Sequence, residues 1–177
     1  MKLQIVNKSN NPLPQYKTKG SVGMDICANE THLLIPNEVA LISTGLYISI
    51  PEGYEAQIRP RSGLAINYGI TILNTPGTID SDYRGEIKIM LYNTSDDSFE
   101  VKNGDRIAQV VICPIEKVEL EEVEELDSTE RGEGGFGSTG ISEYDNIVEY
   151  GDLPDEDSSF NTLVDIFKPD DYYEQEN

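Results

Sequence analysis

The sequence predicts an all-β domain with a dissimilar acidic extension behind it. Three observations carry this. Val, Ile, Thr and Tyr recur in short runs, often alternating with polar residues, and runs at helical spacing are scarce. Gly, Pro and Asn-Gly break those runs at short intervals. Beyond residue 140 the composition changes, with twelve acidic residues against the single base Lys168. A chain of 177 residues has room for one ordinary domain and a tail. The expected divisions are a β domain over 1–127, a Gly-rich arm over 128–140 and a largely disordered acidic tail over 141–177.

The elements follow in order. Leu3 and Ile5 alternate with Lys2 and Gln4 and predict a first strand within residues 1–8. Asn10-Asn11-Pro12-Leu13-Pro14 is a loop. Gly20 and Gly23 bracket a turn, after which Asp25 enters a strand. Leu33–Ile35 and Val39–Ile50 are strand-like and are separated by Pro36-Asn37. Pro51-Glu52-Gly53 turns into a short strand over Tyr54–Ile58 with Ala56 and Ile58 on one face. Arg59-Pro60-Arg61-Ser62-Gly63-Leu64-Ala65 ends that strand and predicts a short helix with Leu64, Ala65 and Ile66 inward. The N-terminal amides of that helix would favour an anion.

Residues 70–92 predict a hairpin. Ile70, Ile72 and Leu73 lead in, Pro76-Gly77 makes the turn with Gly77 at positive φ, and Ile87, Ile89 and Leu91 alternate on the way out. This hairpin carries Asn74, Asp80, Asp82, Tyr83, Arg84 and Lys88. It suits either an ordinary surface turn or a site that grips a polar molecule beside an activated water. Asn103-Gly104-Asp105 is a second hairpin signal, joining Phe99–Val101 to an apolar strand over Arg106–Ile112. Gln109 within that strand needs a partner and is either a structural bridge or a ligand contact. Residues 116–130 suit a last strand followed by a mobile connection. A short apolar helix over Phe160–Phe167 is the one element expected in the tail.

Charge narrows the function. A net charge of −20 argues against broad binding to a nucleic-acid backbone or an anionic membrane. No signal peptide or transmembrane run is evident, and a cytoplasmic location is expected, whether of cellular, viral or phage origin. Cys27 and Cys113 lack metal spacing and are expected to be free thiols. His32 is the only histidine, so a His-based triad is excluded. The five arginines, Arg59, Arg61, Arg84, Arg106 and Arg131, all lie in or beside Gly-rich or turn-rich stretches. In so acidic a chain that placement favours a local phosphate pocket over scattered surface pairs. Walker A spacing is absent. Asp25 suits turn capping, orientation of an arginine, or water held around a metal. The stretch Arg131 to Gly140 suits either a plain linker or an arm that closes on a ligand through Arg131, Phe136, Ser138 and Thr139.

Five stretches in order resemble the motifs of the trimeric deoxyuridine triphosphatase (dUTPase) family. They are Gly20-Ser-Val-Gly-Met-Asp25, Arg59-Pro-Arg-Ser-Gly-Leu-Ala65, Asn74 through Glu86, Asp105-Arg-Ile-Ala-Gln109 and Arg131 through Gly140. Val22 stands where Ala is usual and Ile26 where Leu is common, both conservative changes. The tail has no counterpart in the pattern. The resemblance implies a jelly-roll β-barrel that assembles as a homotrimer with exchanged C-terminal arms and sites between subunits. It implies hydrolysis of dUTP to dUMP and pyrophosphate with Mg²⁺ on the triphosphate. Asp80 would orient the attacking water. Asn74 and backbone groups of Thr78 and Ile79 would read uracil, and Tyr83 would pack under the deoxyribose. Arg61, Ser62, Gly63, Lys88 and Gln109 would hold the phosphates, and Asp25 would support the Mg²⁺ shell through water. Arg131, Gly137, Ser138 and Thr139 would close on the phosphates, with Phe136 stacked on uracil. A dCTP deaminase would share the fold, but it uses a hairpin Glu and lacks the Gly-rich Phe arm. A dUTPase-fold regulatory protein acting on an unknown partner through the acidic tail is the alternative from another class.

Overall fold

The computed structural model describes residues 1–140. Its main compact unit is Met1–Leu120. The strands are β1 Gln4–Asn7, β2 Met24–Cys27, β3 His32–Leu34, β4 Val39–Ser49, β5 Tyr54–Arg59, β6 Ile70–Ile72, β7 Gly77–Ile79, β8 Ile87–Asn93, β9 Phe99–Val101 and β10 Arg106–Pro114. One helix, α1 Ser62–Tyr68, interrupts them. One four-stranded sheet has the order β1-β4-β8-β6, a second has β2-β10-β5-β7, and β3 and β9 form a two-stranded ribbon. All pairings are antiparallel.

Period-two patterning places the core. Along β8 the buried Ile87, Ile89 and Leu91 alternate with Lys88, Met90 and Tyr92. Along β5 Ala56 and Ile58 face inward as expected. Ile42, Ile48 and Ile72 from the first sheet join Ile26, Ile58 and Val110 from the second in a single buried cluster. The expectation of an all-β body is therefore met, and the two cysteines are free.

Several local expectations need correction. The stretch 70–92 is not a simple hairpin. β6 does pair with β8, but between them the chain crosses to the second sheet, where β7 pairs with β5. Gly77 is accordingly not a positive-φ turn residue but the first residue of β7. It packs closely there instead, since a Cβ would lie 3.3 Å from both the Ile58 Cβ and the Asn74 amide nitrogen and would push them back by a few tenths of an ångström. Asn103-Gly104-Asp105 does turn, with Gly104 at φ 92°, yet it joins strands of different sheets because β9 pairs with β3 and β10 with β2 and β5. Helix α1 turns Ala65 and Ile66 outward, Ile66 being 83% exposed, and only Leu64 packs against the core. Residues 116–130 contain no strand. The helix expected over Phe160–Phe167 lies outside the described residues.

Candidate active site

The crossover through β7 builds the first half of the site. β7 pairs with β5 through Ala56↔Ile79 and Gln57↔Thr78 and is the edge of its sheet. One row of its backbone donors and acceptors is therefore not used by the sheet. After Ile79 the chain turns at Asp80, whose carbonyl accepts the Tyr83 amide at 3.2 Å. The Arg84 guanidinium closes the turn on the carbonyls of Ser81 at 2.7 Å and Tyr83 at 2.8 Å. Tyr83 then folds back over Gly85, and its hydroxyl donates to the Glu86 carbonyl at 2.9 Å. A Cβ on Gly85 would overlap the tyrosine ring as it lies here, so a larger residue would displace Tyr83 from this position. Asn74, Ile79, Tyr83 and Lys88 line one cleft of about 540 Å³ together with Leu41, Glu86 and Met90. Asp80 and Thr78 are exposed beside Ile79.

The second half lies on the other strands of the same sheet. Asp25 on β2 and Arg59 on β5 both stand opposite Gln109 on the central strand β10. The Asp25 carboxylate holds two guanidiniums, Arg61 Nε at 3.1 Å and Arg106 Nη1 at 3.0 Å. Arg61 also donates to the Arg106 carbonyl at 2.7 Å. Of the three roles open to Asp25, the orientation of an arginine is the one this geometry displays. Gln109 donates to the Pro60 carbonyl at 2.9 Å, and its amide oxygen fills the space a Cβ on Gly23 would need. It thus ties the Arg59–Arg61 turn to the glycine turn before β2. Ser62 and Gly63 begin α1, exposed, and a Cβ on Gly63 would meet nothing. These residues and those of the β7 cleft line different cavities: Arg61 and Arg106 line one of about 460 Å³, and Asp25 and Arg106 one of about 260 Å³.

The Gly-rich arm belongs to a separate unit beginning at Glu121. Arg131 Nε donates to the Gly134 carbonyl at 2.7 Å, and successive turns close from Gly135 to Ser138 and from Gly137 to Gly140. Phe136 is fully exposed at φ 46°, and Arg131, Gly137, Ser138 and Thr139 are exposed around it.

Among the described residues no group of three or more His, Cys, Asp or Glu side chains is placed to hold a metal. Both Asp25 oxygens carry a guanidinium, which disposes this carboxylate poorly to bind a metal directly. That donor set fits Mg²⁺ carried on a phosphate ligand rather than a metal resident in the protein.

Sequence reasoning missed Glu86. Its Oε1 accepts the Ser43 hydroxyl and the amides of Thr44 at 3.2 Å and Gly45 at 2.8 Å. Burial pushes the Glu86 carboxyl up, but the Ser43 hydroxyl, Gly45 amide, Lys88 ammonium and Thr44 amide outweigh it and hold it below its ordinary value. A lowered folded value means stabilisation that is present above the unfolded carboxyl range of about 4.3 and lost as pH falls through the folded value. Glu86→Gln is therefore expected to make acid unfolding shallower between about pH 5 and pH 3, read by circular dichroism. Glu86 stood in the sequence only as the last residue of the stretch from Asn74, with no role assigned, and its donors lie more than 40 residues away.

Comparison with known proteins gives concordant results. A family model described as dUTPase matches residues 9–140. The deoxyuridine 5'-triphosphate nucleotidohydrolase of Finegoldia magna is 58% identical over 142 residues, covering 79% of this chain and 99% of the relative. That of Cytophaga hutchinsonii is 54% identical over 140 residues, covering 78% and 91%. Among solved structures, the Staphylococcus bacteriophage 80alpha dUTPase with dUpNHpp superposes with a TM-score of 0.74 at 35% identity, covering 79% of this chain and 99% of its own. A dUTPase mutant from phage phi11 of S. aureus, described for the coordination of a structural Mg(II) ion, gives 0.67 at 30% identity, covering 72% and 100%. The two curated relatives are named as nucleotidohydrolases, which favours an enzyme over a regulatory protein without turnover; the tail invoked for the latter lies outside the described residues. No helix among the described residues is long and apolar enough to cross a membrane.

Proposed function

The chain belongs to the dUTPase family and is a dUTP nucleotidohydrolase, and on that premise we propose how its residues divide the reaction. Uracil lies along the free edge of β7, where Thr78 and Ile79 offer backbone donors and acceptors and Asn74 completes the pattern. Cytosine presents the opposite pattern and leaves those groups unpaired, which is a strong basis for rejection. Tyr83 packs under the deoxyribose and leaves no room for a ribose hydroxyl. Arg61, Ser62, Gly63, Lys88 and Gln109 hold the phosphates, and Mg²⁺ enters on the triphosphate as part of the substrate. Asp80 accepts the proton of a water that attacks the α-phosphorus in line. The bond from that phosphorus to the bridging oxygen breaks, and pyrophosphate leaves as dUMP forms. Arg131, Gly137, Ser138 and Thr139 close on the phosphates and Phe136 covers the base. The product supplies dUMP for thymidylate synthesis, and removal of dUTP limits uracil incorporation into DNA.

The single observation that carries this reading is the open edge of β7, bordered in one cleft by Asn74, Tyr83 and Lys88 and followed at once by Asp80. Because the phosphate-holding cluster at Arg61 lines a different cavity, the complete site is assembled between copies of a jelly-roll subunit in a homotrimer. The protein acts in the cytoplasm, without nucleic acid or membrane. The test is pyrophosphate release from each deoxynucleoside triphosphate and from UTP with Mg²⁺. Release from dUTP alone is expected; comparable release from dCTP or UTP would overturn the roles of β7 and Tyr83.

Asp25 acts by orienting Arg61 and Arg106 and touches the Mg²⁺ shell only through water. Asp25→Asn is expected to lower kcat/KM for dUTP roughly 10- to 30-fold, since charge-assisted pairs of this kind set the guanidinium geometry. Excess Mg²⁺ in the assay should not restore it.

A further inference from the structure

We infer that Glu86 is a positioning residue whose carboxylate, seated in a bulge of β4, sets Tyr83 and Lys88 for substrate and so governs the choice of deoxyribose over ribose. The inference rests on the reading of Tyr83 given above.

The loop from Asp80 to Glu86 leaves β7 in one sheet and enters β8 in the other, so it needs an anchor where it joins β8. β4 provides one. Its register against β8 shifts between Ser43, opposite Lys88, and Leu46, opposite Ile87. The extra residues Thr44 and Gly45 form a bulge. Gly45 sits at φ 69°, and a Cβ there would lie 2.9 Å from Ser9. This backbone aims two amides at one Glu86 oxygen, and the Ser43 hydroxyl adds a third donor. The bulge is itself pinned. Thr44 donates its hydroxyl to the Ile87 carbonyl, and the Gly45 carbonyl accepts the Lys8 amide at 2.8 Å.

From this anchored residue two contacts lead into the cleft. The Glu86 carbonyl receives the Tyr83 hydroxyl at 2.9 Å, which fixes the ring of a side chain that is 42% exposed. The second carboxylate oxygen lies 3.9 Å from Lys88 Nζ. Glu86 also lines the same cleft. Burial pushes its carboxyl up, but the bulge donors together with the Lys88 ammonium hold it below its ordinary value. Released from the bulge, residues 84–86 are free to shift, and the tyrosine loses the carbonyl that holds its tilt. A ring free to tilt no longer excludes one hydroxyl.

The test is kcat/KM for dUTP and for UTP, with Mg²⁺, in wild type, Glu86→Ala, Glu86→Gln and Ser43→Ala. Removing the carboxylate is expected to lower the dUTP:UTP ratio by roughly tenfold, within the range a single small group contributes to discrimination. Glu86→Gln keeps an acceptor for the bulge and should retain most of the ratio, with a raised KM for dUTP because Lys88 loses its counter-charge. An equal loss on both substrates, with the ratio at its wild-type value, would mean that Glu86 is only structural. Where Glu86→Ala yields no folded protein, Ser43→Ala decides: a fall of a few fold in the ratio supports the inference, and an unchanged ratio overturns it. Failure of the underlying reading is seen separately, as wild-type enzyme that hydrolyses UTP as readily as dUTP.

Discussion

Asp80→Asn is expected to lower kcat for dUTP by about 10³-fold with little change in KM, the scale on which a positioned general base contributes. The loop does not use the Asp80 carboxylate to hold its shape. The group that closes the turn is the Asp80 carbonyl, which accepts the Tyr83 amide. The turn is held from the other side by Arg84 on the Ser81 and Tyr83 carbonyls. Asparagine keeps the size of the side chain and removes its basicity, so the folded cleft and its affinity should survive. A loss that appears in KM instead would assign Asp80 to binding. Circular dichroism of the variant should match wild type.

Ending the chain at Glu130 is expected to lower kcat/KM for dUTP by roughly 10²- to 10³-fold, whereas ending it at Gly140 should leave it within about twofold of wild type. The ten residues between these points include Arg131, which donates to its own turn at Gly134, and the fully exposed Phe136. A phenylalanine at φ 46° is in a conformation that L-residues disfavour by about 1–2 kcal/mol. An exposed aromatic ring held in such a turn is set to gain from stacking on a base. If the arm closes the site, the first truncation removes both that ring and a phosphate donor. If turnover already collapses when the chain ends at Gly140, the acidic tail belongs to the trimer or the site and is no separate module.

The sequence disclosed most of the strands and several of the turns, but it put the Gly77 turn in the wrong place and missed which strands meet. Alternation marked β8 and β5 because one face of each is buried, and burial writes a period of two into the residues. β7 was hidden because Gly77-Thr78-Ile79 is too short to show any period. Asn103-Gly104 signalled a reversal correctly, since turn chemistry is local. Whether the flanking strands then pair depends on partners far away, and here β9 goes to β3. In α1 two turns of helix were too few to say which apolar residue faces the core, and Ile66 faced out.

The site was legible in kind but not in connection. Clustered arginines pointed to phosphate, and the resemblance supplied the roles. That Asp25 holds Arg61 and Arg106 together follows from the order β2-β10-β5, which brings a residue at 25 beside one 81 positions later. The role of Glu86 was invisible because it depends on a bulge in β4, and nothing in Ser43-Thr44-Gly45 announces a bulge without its partner strand.

The central claim is that the β7 cleft of one copy and the arginine cluster of another make one site. Asp80→Asn and Arg61→Ala protein should each be nearly inactive alone. Co-expressed in equal amounts and assembled at random, they should recover about one quarter of wild-type activity, because each site needs an intact cleft and an intact cluster from separate subunits. Activity of the mixture no greater than the sum of the two variants would place both halves of the site on the same chain and contradict the account.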